Sequence, residues 1–206
     1  NLVLNYVLRI AVSKTKPIEL LNEAYQYGIR DFGENRVQEL SEKAQMLPED
    51  IRWHMIGHLQ KNKVKQAVRY AYMIHSVDSY ELALTISNEA VKQNKTVSIL
   101  LEVNMAGEAR KFGYTPTQVA EDIIRIASLP NIRIKGLMTI APYTETPESN
   151  RIYFQQMKQL SVDIRNKNID NVSMDVLSMG MSGDFAIAIE EGATMVRVGT
   201  SIFGER

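Results

Sequence analysis

Lys14 is the residue with the most chemical promise, placed in Ser13-Lys14-Thr15-Lys16 directly after the apolar run Leu8-Arg-Ile-Ala-Val12. A lysine amine condenses with an aldehyde to a Schiff base, and partial desolvation beside a second cation makes the amine more nucleophilic. Lys16 and Arg197 are the candidate neighbours. The competing reading is a loop lysine that simply faces water. A second feature is Ser178-Met179-Gly180-Met181-Ser182-Gly183. Its glycines admit close approach to backbone N–H groups, its hydroxyls add donors, and a helical pattern follows, which together suit an anion. Gly199-Thr200 offers similar donors one loop later. Ser182 alone would serve equally well as a helix cap, but the two loops together favour a phosphate cradle. Arg197, flanked by valines in Met195-Val-Arg-Val-Gly199, needs either an ion-pair partner or a ligand if its strand is buried.

The elements that must position these residues alternate along the whole chain. Apolar, β-branched runs at 8–12, 29–32, 51–56, 73–77, 97–103, 132–138, 172–177 and 194–198 predict strands. Amphipathic stretches near 17–27, 35–46, 59–70, 79–93, 116–128, 149–166 and 183–191 predict helices, several with Pro or Gly at their ends. This alternation implies parallel βαβ units and a single (β/α)8 TIM-barrel domain over residues 1–206. An open doubly wound sheet would want a Gly-rich turn after an early strand, where Ser13-Lys14-Thr15-Lys16 stands instead. One outer helix is missing from the count. The helical spacing of Leu2 and Tyr6 predicts an incomplete helix at the N-terminus, with a segment beyond Arg206 as the other source. In such a barrel chemistry sits after the C-terminal ends of strands. Those positions hold Lys14, Glu34-Asn35, Gly57-His58, Asn104, Thr139, Ser178–Ser182 and Gly199-Thr200.

Composition narrows the partners. Twenty-four basic residues balance twenty-four acidic ones, so no bulk charge favours nucleic acid or an anionic membrane. The sequence has no cysteine and no apolar run near the roughly 18 residues that span a bilayer, which fits a cytoplasmic protein. His54 and His58 do not share a helical face, so no metal is expected, and His75 reads as a core or rim residue. Lys61, Lys63, Lys65 and Arg69 read as a solvated helix face.

The motifs Ala11-Val-Ser-Lys-Thr-Lys-Pro17, Asp31-Phe-Gly-Glu-Asn35, Trp53-His-Met-Ile-Gly-His-Leu-Gln60, Lys135-Gly-Leu-Met138, Leu177-Ser-Met-Gly-Met-Ser182 and Met195-Val-Arg-Val-Gly-Thr-Ser-Ile-Phe-Gly204 resemble the pyridoxal phosphate homeostasis protein family, the YggS/PROSC type. The resemblance implies a fold type III pyridoxal-phosphate barrel, similar to the N-terminal domains of alanine racemase and ornithine decarboxylase. It implies that Lys14 carries pyridoxal 5′-phosphate (PLP) and that Ser178, Ser182, Gly199 and Thr200 bind its phosphate. Asn35 and Met179 would line the ring, and Arg197 would face the pyridine nitrogen. The implied role is intracellular vitamin B6 homeostasis by a monomer, as carrier, buffer or regulator, with PLP-requiring apo-enzymes as partners and no robust catalysis. An amino-acid racemase or other fold type III enzyme is the alternative. It is disfavoured by the expectation that a chain ending at Arg206 leaves no second domain to supply an opposing base; Tyr143 is a poor substitute. A barrel enzyme acting on a phosphorylated metabolite, without the cofactor, is the third reading.

Overall fold

In a computed structural model describing residues 7–204, eight parallel strands close into a barrel in sequence order. They are β1 (Leu8–Val12), β2 (Asp31–Glu34), β3 (Arg52–Met55), β4 (Met73–Val77), β5 (Val97–Glu102), β6 (Ile132–Met138), β7 (Val172–Met181) and β8 (Met195–Val198). Around them lie α1 (Ile18–Gln26), α2 (Val37–Met46), α3 (Val64–Tyr70), α4 (Tyr80–Lys92), α5 (Pro116–Ala127), α6 (Arg151–Asn166), α7 (Phe185–Glu190) and a short α8 (Thr200–Phe203). The (β/α)8 barrel expected from the sequence is therefore the fold. The helix suggested by Leu2 and Tyr6 falls outside the described residues.

Local chemistry explains the elements. Thr115 and Gln118 form a reciprocal capping box at the start of α5, whose Val119, Ile123 and Ile126 are fully buried along one face. Ser79 caps α4 by accepting the Leu82 N–H. Strands buried on both faces give two cores. Outward residues such as Phe32, Ile74 and Leu101 pack against the helices, while Ile10, Met73, Leu100, Met138 and Met195 form a separate apolar plug inside the barrel.

Two strand boundaries differ from expectation in ways that matter for the site. β2 begins at Asp31 rather than 29, because Gly28 (φ +97°) and the Ile29 N–H, bonded to the Ala24 carbonyl at 3.1 Å, are used to close α1. β7 continues to Met181 because its pairing with β8 resumes beyond a bulge, with Ser178 opposite Met195 and Met181 opposite Arg197. Gly136 marks a similar irregularity between β6 and β7: a Cβ there would lie 1.8 Å from the Val176 carbonyl oxygen. No described helix is long and apolar enough to cross a membrane.

Candidate functional site

The backbone on both sides of Lys14 is fixed by a hydrogen-bond network that is buried at Ser13 and exposed at Thr15. Ser13 donates its N–H to the Gly33 carbonyl at 3.0 Å and its hydroxyl to Glu34 Oε1 at 2.6 Å. Thr15 takes a left-handed conformation (φ 61°) and donates its N–H to Glu39 Oε2 at 2.8 Å. Lys43, only 6% exposed, reaches up from α2 to the Ser13 carbonyl (2.8 Å), Glu34 Oε1 (2.6 Å) and Glu39 Oε2 (3.2 Å). Burial pushes the Glu34 carboxyl up, with Lys43 and Ser13 offsetting part of the effect. Lys16 leaves the site, its ammonium donating to the Phe203 and Gly204 carbonyls, each at 3.1 Å.

Lys14 itself is half-buried on a cavity of about 330 Å³ at the C-terminal mouth of the barrel, within the range of small-molecule sites. Asn35 and Arg197 line the same cavity, together with Gly57, His58 and Glu102. Gly57 is required by close approach, since a Cβ there would lie 2.4 Å from the Asn35 carbonyl oxygen. One wall was not foreseen. The segment after β5 brings Arg110, Lys111 and Phe112 over the cavity, with the Phe112 ring stacked on His58 at a centroid distance of 3.6 Å. Lys111 donates to the Ala141 carbonyl at 3.3 Å, and Asn104 brackets Glu108 through both its amide atoms. Burial, with Asp78 nearby, pushes the Glu102 carboxyl up to about 7, which Arg197 partly counters. The signal for Glu102 was a lone acid ending an apolar strand.

Arg197 is 3% exposed and makes no ion pair among the described residues. Its Nη1 donates to the Ser178 carbonyl (2.8 Å) and hydroxyl (2.6 Å), and its Nη2 to the Thr139 carbonyl (2.7 Å). Burial lowers it to about 10, so it stays cationic at neutral pH. Two of the expected residues are placed elsewhere. Ser178 is fully buried inside the barrel, its hydroxyl held between Arg197 and His75 (3.0 Å), and it does not join Ser182 in a cradle. Met179 is fully buried in the outer core and does not line the cavity. Alternation from the inward Ser178 turns it toward the helices, and the bulge that follows, with Gly180 at φ +90°, breaks that alternation so that Met181 reaches the cavity wall.

Ser182, Gly199 and Thr200 do come together beside this cavity. The Ser182 hydroxyl accepts the Gly199 N–H at 3.2 Å, tying the segments after β7 and β8 to each other. Ser182 is not the cap of α7: Asp184 precedes that helix and accepts the Met181 N–H at 2.7 Å. Asn150 braces the same carboxylate at 2.9 Å. Gly199 packs against β1, where a Cβ would meet the Val12 carbonyl oxygen at 3.3 Å. The N–H groups opening the turn Thr200–Phe203 have no intrahelical acceptor.

Comparison with known proteins places this arrangement among relatives. The family described as alanine racemase, N-terminal domain, matches residues 10–206. A pyridoxal phosphate homeostasis protein of Aquifex aeolicus is 46% identical over 198 residues, covering 96% of this chain and 86% of the relative. The human protein of the same name is 39% identical over 208 residues, covering 96% and 76%. The solved structure of PipY from Synechococcus elongatus with PLP bound superposes with a TM-score of 0.88 at 37% identity, covering 97% of this chain and 93% of that one. Alanine racemase of Clostridium difficile shares the fold at 15% identity and a TM-score of 0.80, with this chain covering 56% of its length.

Proposed function

The chain belongs to the pyridoxal phosphate homeostasis proteins, built on the alanine racemase N-terminal fold, and on that premise we propose that it holds PLP in the Lys14–Arg197 cavity. The role we assign is that of an intracellular carrier, buffer or regulator of the cofactor. The observation that carries it is the convergence of Lys14, Asn35 and Arg197 on one cavity beside the Ser182–Gly199 corner. The residues fit the group: a primary amine for its aldehyde, a guanidinium for its ring, and amide and hydroxyl donors for its phosphate. Bound there, the cofactor supplies an aldehyde that condenses with the Lys14 amine to a Schiff base, releasing water. Ser182, Gly199 and Thr200 would hold the phosphate, and Asn35 would flank the ring. Arg197, a permanent donor, would keep the pyridine nitrogen unprotonated and so make the ring a poorer sink for carbanion charge. That disfavours chemistry such as transamination, which needs a strong carbanion sink, more than it disfavours racemisation.

We further read the protein as a single domain over residues 1–206 and a cytoplasmic monomer, handing PLP to apo-enzymes. The absence of cysteine and the exposed, polar outer faces of Lys61, Lys65 and Arg69 support this reading. Tyr143 is 95% exposed and lies off the cavity, so it is no candidate base. One observation favours the alternative, a racemase or related enzyme: Glu102, on the cavity wall with a pKa of about 7, can hold or release a proton near neutrality. Proton exchange at the α-carbon of a panel of amino acids in deuterated water separates the two. The carrier reading expects PLP uptake with negligible exchange; rapid exchange with net racemisation would refute it.

Ser182→Ala tests the phosphate corner. It removes one hydroxyl and loosens the Gly199 N–H, and a charge-assisted hydrogen bond is worth about 1.5–3 kcal/mol. Retention of PLP should therefore fall roughly tenfold or more on dialysis, with the visible band of the remaining bound cofactor unchanged. Unaltered retention would assign the phosphate to backbone donors alone.

A further inference from the structure

Below the cavity, an unbroken row of polar side chains crosses the barrel interior. Arg197 Nη1 lies 2.6 Å from Ser178 Oγ, Ser178 Oγ lies 3.0 Å from His75 Nδ1, His75 Nε2 lies 2.9 Å from His54 Nδ1, and His54 Nε2 lies 3.0 Å from Asp31 Oδ1. None of the five is more than 4% exposed. At the far end Arg52 clamps both Asp31 oxygens, through Nε at 2.8 Å and through Nη2. Burial alone would raise the Asp31 carboxyl, but the hydrogen bonds from Arg52 and His54 outweigh it and hold it at about 2.

The two ends fix the direction of the whole row. A guanidinium only donates and an ionised carboxylate only accepts. Asp31 therefore requires a proton on His54 Nε2. With that ring neutral, its Nδ1 is an acceptor and requires a proton on His75 Nε2. His75 Nδ1 then accepts the Ser178 hydroxyl proton, and Ser178 Oγ accepts from Arg197. Every proton has an acceptor. The opposite tautomers would set a bare His54 Nε2 against the Asp31 oxygen. A cationic His54 would turn His75 around to donate to Ser178 Oγ, and that hydroxyl proton would have no acceptor among the described residues, a costly state in a dry interior. Such a cation would also share the interior with Arg197. His75 is held neutral by burial first, and then by the Arg197 cation.

We propose that Ser178, His75, His54 and Asp31 are positioning residues for Arg197, forming a hydrogen-bond relay of single polarity from the cavity floor to the Arg52 end of the barrel. The relay and the two carbonyls occupy three of the five guanidinium N–H groups, leaving the others for the cavity that Arg197 lines. This explains why a serine expected at the phosphate stands inside the barrel, and why two histidines occupy strand positions where a TIM barrel normally packs branched aliphatics. The relay stands without any ligand; only its consequence for PLP rests on the function proposed above.

Long-range proton–nitrogen NMR of the 15N-labelled, unloaded protein reads the tautomers directly. The expected result at neutral pH is Nε2–H for both His54 and His75, with His58 as the exposed reference. A proton on His75 Nδ1, or a doubly protonated His54, would overturn the proposal whatever becomes of PLP binding. Ser178→Ala then tests the link to Arg197. His75 should keep its Nε2–H, which Asp31 dictates through His54, while its Nδ1 nitrogen resonance should shift on losing the Ser178 proton, and the ring-nitrogen resonance of added 15N-labelled PLP should move from its wild-type position. If the protein takes up PLP and that resonance is unchanged, the relay does not position Arg197. If neither protein takes up PLP while the tautomers are as expected, the functional reading fails and the relay survives.

Discussion

Lys14→Ala should abolish the yellow colour of the loaded protein and reduce borohydride fixation of PLP to background. The covalent bond depends on the Lys14 amine, and the backbone on both sides of it is held by other groups. Ser13 and Thr15 are tied by their own N–H groups to Gly33 and Glu39, so the turn should keep its shape when the side chain is lost. Non-covalent PLP binding should persist weakly, because Arg197 and the Ser182–Gly199 corner are untouched. Absorbance of the dialysed protein, and mass spectrometry of peptides after reduction, give the answer. Lys16 is the informative control: its ammonium is engaged by the Phe203 and Gly204 carbonyls, so Lys16→Ala should leave fixation intact. Fixation that survives Lys14→Ala and disappears in Lys16→Ala would reverse the assignment.

How far such a site is legible before folding depends on parity and closure. Lys14 could be read because it follows directly on a strand whose boundaries are sharp, and Ser182 with Gly199-Thr200 because small and polar residues cluster after two successive strands. Met179 could not. A bulge between Ser178 and Met181 carries β7 further than its apolar run suggests, so the residue that lines the cavity is the methionine two positions later. Ser178 failed for the same reason, since the strand continues through it and its side chain points inward. Lys16 is turned away by the left-handed Thr15, a conformation that no residue in Ser13-Lys14-Thr15-Lys16 announces. The row from Asp31 to Arg197 was the least legible. Its members lie on β2, β3, β4, β7 and β8, and only the closed barrel makes them neighbours; His75 and Ser178 are 103 residues apart. The barrel itself was readable because alternation of strands and helices is a local property repeated eight times, and small boundary errors do not disturb it.

Lys43→Met should destabilise the fold by about 3–5 kcal/mol, because it leaves the Glu34 carboxylate buried without its cation. The pair is less a source of stability than a constraint. Glu34 is fully buried, its Oε2 has no hydrogen-bond partner, and burial already pushes its carboxyl up. An acid whose folded-state pKa is raised holds its proton more tightly in the native state, so stability falls as pH rises through its titration. In Lys43→Met that effect should grow. The deficit measured by urea denaturation should be largest at neutral pH and should shrink as pH falls through the carboxylate range. Asp31 works in the other sense: held at about 2, it contributes stability above its unfolded pKa that is lost as pH falls toward that value. Acidification should therefore narrow the gap between variant and wild type while lowering the wild type itself. Lys43→Met combined with Glu34→Gln removes the buried charge and should recover most of the loss, the neutral amide still accepting from Ser13. Function should not recover with it. Lys43 also holds the Ser13 carbonyl and Glu39, and through them the two residues that flank Lys14. A stable double variant that still releases PLP faster than wild type would show that the buried pair is kept to fix the position of one amine. If the double variant binds as tightly as wild type, the pair serves the fold alone.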